Sequence, residues 1–139
     1  MPMEVKEFLR QYQDALTDIR NLEAEAEELE SMAMSITMST DGERVQSSGR
    51  QDKMAELAAK VADLELEIMG LRTDALHKLR EVEQVIRQVD NKEYRKILHM
   101  RYIEKNTWEQ IAVQTSRSYQ WVCRLHGRAL KDIEKVLKS

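Results

Sequence analysis

T-W-E-Q-I-A-V-Q-T-S-R-S-Y-Q-W-V-C-R-L-H-G-R-A-L, from Thr107 to Leu130, reads as two short helices joined by a polar turn. Thr107 and Gln110 stand three apart, the spacing of a capping box, in which each side chain satisfies a backbone N–H that the helix leaves free. Trp108, Ile111 and Ala112 then fall on one helical face, and Thr115, Ser116, Arg117 and Ser118 interrupt the pattern. Ser118 is the best N-cap of the second helix, a contact worth about 1 kcal/mol. In that helix Val122, Leu125, Ala129 and Ile133 recur at spacings of three and four and are expected to face the first helix. Tyr119, Gln120, Cys123, Arg124, Gly127, Arg128 and Lys131 lie on or near the other face.

That face has the chemistry of a recognition helix. Arg forks onto guanine and Gln onto adenine, while Tyr and Lys more often hold phosphate. The expected double-stranded DNA contacts are Arg117, Ser118, Tyr119, Gln120, Arg124, Arg128 and Lys131. The competing reading of the same spacing is a helical hairpin of another small domain whose basic face is simply solvated.

The stretch from Tyr94 to Leu130, with L-H-M-R-Y-I-E-K-N-T-W-E-Q-I-A and L-H-G-R-A-L, resembles the region-4 helix-turn-helix of sigma-70-type RNA polymerase sigma factors. Together with E-R-V-Q-S-S-G-R-Q-D-K-M-A-E at 43–56, it is similar to a family of small, sigma-region-4-like phage and prophage proteins of Gram-positive bacteria. The resemblance implies promoter recognition beside the host RNA polymerase, whose flap element is the usual partner of sigma region 4. It departs at the turn, where Ser116 stands in place of Gly or Asn, and Arg117 in place of an apolar residue. Gly and Asn suit a left-handed backbone better than Ser does. No segment resembles the sigma regions that recognise the −10 element and melt DNA, so an activator or accessory factor fits better than a complete sigma factor.

The remainder of the 139 residues is read as helix too. One Pro and four Gly leave few breakers, and 34% charged against 5% aromatic residues suits long solvated helices better than a large core. The fold class is all-α. Val5, Phe8, Tyr12, Ala15, Ile19, Leu22, Ala26, Leu29, Ala33 and Ile36 alternate three and four apart, the seam of a coiled coil. A helix from Met3 to Ile36 would be about 50 Å long at 1.5 Å per residue. A second seam follows at Met54, Leu57, Val61, Leu64, Ile68, Leu71, Ala75, Val82, Val85 and Val89, interrupted at Lys78 and flanked by Leu76, Leu79 and Ile86. Two seams of equal length predict a long antiparallel hairpin over residues 1–89, followed by the helix-turn-helix domain at 90–139. Alanines in the seams leave a thin core, to which a second copy or a partner helix would add, so homo-oligomerisation through the coiled coil is expected.

Thr37 to Asp52 is Ser/Thr/Gly-rich and reads as a loop between the helices, either a solvated tip or an anion cradle built on R-V-Q-S-S-G-R. Asp90 or Asn91 is expected to cap the next helix, with Tyr94, Ile97, Leu98, Tyr102 and the stem of Arg101 turned inward; a nearly continuous helix across this junction is the alternative. Trp108 is expected in the core. Trp121 either packs on the preceding helix or meets the DNA backbone.

Charge is divided unevenly. Residues 1–90 carry 11 Lys and Arg against 20 Asp and Glu, a net −9, whereas residues 91–139 carry 11 against 5, a net +6. A polyanion is drawn to the second segment and repelled by the first, so the acidic part is expected to point away from DNA. One Cys provides no disulfide framework, and His77, His99 and His126 lack zinc spacing, so neither metal nor cofactor is expected. With no nucleophile motif, phosphate loop or paired acid-base carboxylates, an enzyme is not expected. No stretch approaches the roughly 18 apolar residues of a membrane span and the start lacks signal-peptide character, so a cytoplasmic protein of the bacterial host cell, without membrane contact, is expected. Two other functions share this architecture: a phage small terminase subunit, which recognises DNA for packaging, and a coiled-coil adaptor that binds protein through its hairpin.

Overall fold

A computed structural model describes residues 4–38 and 48–139. The elements are α1 (Val5–Met38), α2 (Ser48–Arg87), α3 (Lys92–Tyr102), α4 (Trp108–Thr115) and α5 (Tyr119–Lys138). The fold is all-α, a long helix pair followed by three shorter helices.

The expected seams are the covered faces of the two long helices. Every seam residue of α1 from Val5 to Ile36 is buried or half-buried, and so is every one of α2 from Met54 to Val85, Lys78 included. Leu76, flanking the seam, is instead exposed. The interval read as a loop is shorter than expected, because Thr37 and Met38 continue α1 and residues 48–52 already belong to α2. Arg50 accounts for part of this: its guanidinium donates to the Ile36 carbonyl at 2.9 Å, satisfying an end group that α1 leaves free. The remainder of the expected loop, 39–47, lies outside the described residues.

Packing divides the chain into two compact units, Leu16–Thr73 and the combination of Met1–Ala15 with Asp74–Ser139. In the first, the Arg50–Ile36 hydrogen bond and a 3.5 Å ion pair of Arg72 with Glu23 show α1 and α2 running antiparallel. In the second, the start of α1, the end of α2, α3 and α5 share one core of Leu9, Val82, Ile86, Val89, Leu98, Tyr102, Ala129 and Ile133. The boundary expected at 89/90 falls inside this unit. Leu9 stands outside the seam pattern yet is 0% exposed, because here α1 is covered on more than the side that meets α2.

The junction after α2 is a break, not the continuous helix held as an alternative. The last N–H groups tighten to i→i−3 bonds, Gln88 to Val85 and Val89 to Ile86, both at 3.1 Å. Arg95 then reaches back from α3 and donates to the carbonyls of Val89 and Asp90 at 2.6 and 2.8 Å. Asn91 caps α3, its Oδ1 accepting from the N–H groups of Glu93 and Tyr94. This break is therefore closed by side chains that satisfy free groups of the two helix ends.

Candidate nucleic-acid interface

α4 begins with the expected capping box. The Gln110 N–H donates to Thr107 Oγ1 at 3.1 Å, and the Thr107 N–H donates to Gln110 Oε1 at 2.8 Å. α4 ends at Ser116, which is left-handed at φ 56° and ψ 38°, and the Arg117 N–H then returns to the Ala112 carbonyl at 3.0 Å. Ser118 caps α5 by accepting from the Trp121 N–H at 3.1 Å. The two helices are thus joined by Ser116, Arg117 and Ser118 alone.

What holds this pair in place is a second core, Ile97 and Met100 of α3, Ile111 of α4, and Val122 and Leu125 of α5. Trp108, expected in the core, and Trp121, left between two roles, are both half-buried against it. Met100 was not anticipated; its place between Ile97 and Ile103 carried the same three-residue spacing. On the turn before α4, Lys105 also takes a positive φ of 63°.

All seven residues expected to contact DNA are exposed: Arg117 and Ser118 in the turn, and Tyr119, Gln120, Arg124, Arg128 and Lys131 on α5. Gln120, Arg124, Arg128 and Lys131 succeed one another at spacings of four, four and three, which places them along one side of the helix. Cys123 and Gly127 are exposed among them. A Cβ built on Gly127 would meet nothing within 4 Å, so packing inside the chain does not require glycine there. Three of the seven already have a role within the chain. The Ser118 hydroxyl is occupied as a cap. Arg117 pairs with Glu93 at 2.9 Å and lies 5.7 Å from the Trp121 ring centre. The Tyr119 phenol is pushed up by the neighbouring Cys123, through its charge and then a hydrogen bond.

Behind α5 lies a cluster that sequence reasoning missed. His126 Nε2 and the Tyr102 hydroxyl share a 2.7 Å hydrogen bond, and the imidazole sits 4.5 Å from the Trp108 ring centre. The Arg101 guanidinium covers Trp108 at 4.3 Å and donates to the Asn106 carbonyl. Gln13, from the start of α1, donates to the Arg101 carbonyl at 2.7 Å. Burial, aided by the charges of Lys6, Arg101 and Arg10, pushes His126 down to about 4, so it is neutral at physiological pH. The signal available beforehand was weak: His126 lies four residues after Val122 and three before Ala129, on the edge of the buried stripe.

Among the described residues, no group of three or more His, Cys, Asp or Glu is placed to hold a metal ion, and no helix is long and apolar enough to cross a membrane.

Fold and surface together define an all-α protein, a long helix pair followed by three shorter helices, the last of which carries an exposed basic side. The chain belongs to DUF1492, a family of proteins of unknown function, which it matches over residues 28–134. No curated protein and no solved structure matches it.

Proposed function

We propose that this chain is a sequence-specific DNA-binding regulator of transcription, of phage or prophage type, whose α4–α5 pair reads double-stranded DNA in the manner of sigma region 4 beside the host polymerase in the bacterial cytoplasm. The observation that carries the reading is the exposed row Gln120, Arg124, Arg128 and Lys131, its first three members on the N-terminal half of α5, backed by a buried, well-packed opposite side. A recognition helix uses that half against base edges. The glycine at 127 adds support. It weakens a helix by about 1 kcal/mol relative to Ala without an internal reason, as expected where a partner's backbone approaches closely.

The test is binding of the full chain to DNA fragments from its own genetic neighbourhood, at two salt concentrations, with and without host RNA polymerase. One site should remain enriched at the higher salt. Arg124→Ala should relax preference at one base position, whereas Lys131→Ala should weaken all sites alike and reduce the salt slope by about one. Equal, sequence-independent losses from both would remove Arg124 as a base reader. Binding to no fragment under any condition would overturn the proposal.

A further inference from the structure

The Leu16–Thr73 unit has a second stripe beside its seam. On α1, Glu23, Glu27, Glu30 and Met34 recur at spacings of four, three and four. On α2, Ala58, Ala62, Glu65, Met69 and Arg72 recur at four, three, four and three. Each series follows the same 3-4 period as the seam, the pattern of helices that pack against two neighbours and not one. Between them runs a shallow groove of about 400 Å³, with the seam residues Ala26 and Ile68 as its floor and Glu23, Glu27, Glu30, Glu65, Met69 and Arg72 along its sides. Met34 extends it beside Glu27 and Glu30.

Solvation alone does not explain this composition. Met34 and Met69 are 62% and 61% exposed, and Leu66, one turn from Met69, is 68% exposed. Ala58 and Ala62 are exposed as well and leave room for an incoming side chain. Methionine is the apolar side chain that adapts best to different partners. The charge identifies the occupant. The described residues of this unit carry 11 Asp and Glu against 5 Lys and Arg, and the one cation in the groove, Arg72, is already paired with Glu23. A second copy presenting the same groove would set carboxylate against carboxylate.

We infer that this groove docks a helix of another protein, one that bears an apolar stripe about three turns long flanked by Lys or Arg. Glu23 to Met34 spans about 16 Å, which sets that length. The partner's apolar stripe covers Ala26, Ile68, Met34 and Met69, and its cations meet Glu27, Glu30 and Glu65. This inference does not depend on DNA binding.

The full chain, with its methionine methyls isotopically labelled, can be titrated with two synthetic helical peptides that share a Leu stripe, one flanked by Lys and the other by Glu. The Lys peptide should shift the Met34 and Met69 methyl signals, leave buried Met100 in place, and bind at least tenfold more weakly to Ala62→Arg. Glu25→Arg, which reverses a charge outside the groove, should change its affinity less than twofold. Absence of shifts at Met34 and Met69, equal binding of both peptides, or equal losses in the two variants would overturn the inference. So would shifts of those methyls with chain concentration alone, accompanied by a doubled mass in light scattering, since the groove would then be a contact between copies.

Discussion

Ser116 holds a left-handed backbone with an ordinary Cβ, at φ 56° and ψ 38°. That conformation is disfavoured by about 1–2 kcal/mol for residues with a side chain, and glycine, which adopts it freely, loses more chain entropy on folding. Ser116→Gly should therefore raise stability by about 0.5–1 kcal/mol in urea titration, a net of those two effects. On α5, Gly127→Ala should stabilise by a similar amount, about 1 kcal/mol. If Gly127 admits the DNA backbone, the same change should weaken DNA binding in the stabilised protein, and unchanged affinity would show that nothing approaches there. His126 makes stability depend on pH. Its folded value, about 4, lies below the ordinary 6.5, so the unfolded chain takes up a proton that the folded chain refuses. The contribution is complete above pH 6.5 and is lost as pH falls from 6.5 towards 4, by no more than about 1.4 kcal/mol per pH unit. Melting temperatures between pH 6.5 and 5 should fall in the native chain and fall less in His126→Gln.

At the scale of elements, α4 and α5 are placed by their caps and by the Glu93–Arg117 pair, which ties the start of α3 to the turn. The pair is exposed, so it adds little to stability. Its larger consequence follows from the proposed function, in which a DNA phosphate would compete with Glu93 for Arg117. Glu93→Gln should free that guanidinium and raise affinity for arbitrary DNA several-fold at low salt, without sharpening sequence preference. Unchanged affinity would remove Arg117 from the interface. These caps were legible beforehand: Thr107 with Gln110, Ser118 and Asn91 each act on N–H groups two or three residues away. The pairing of Arg117 was not, since its partner lies on a different helix.

At the scale of the molecule, the C-terminal helices close one small core among themselves but depend on α1 and α2 for the other. Leu98, Tyr102, Ala129 and Ile133 are buried by Leu9 of α1 and by Val82, Ile86 and Val89 from the end of α2 and the residues after it. Residues 90–139 alone should therefore lack a cooperative thermal transition, and a chain beginning at residue 16 should melt at lower temperature than the whole. Leu9→Ala should cost about 2–5 kcal/mol, the range for a large buried side chain whose cavity the surroundings fill only partly. A loss of DNA binding by the shortened chain would follow from this unfolding and not from a lost contact, which circular dichroism on the same sample would distinguish. Cooperative unfolding of 90–139 by itself would show that the shared core is dispensable.

Helical character, both seams and the helix caps were determined by the sequence alone, because each depends on residues three or four apart that a single helix brings together. The exposed basic row of α5 was legible for the same reason, as the complement of the Val122, Leu125, Ala129 and Ile133 stripe. Tertiary structure decided the remainder. Leu9 enters the C-terminal core, Gln13 reaches the Arg101 carbonyl, Glu93 engages Arg117, and Tyr102 and Trp108 enclose His126. Each of these depends on side chains carried by different helices, and the spacing within any one helix does not contain the positions of the others.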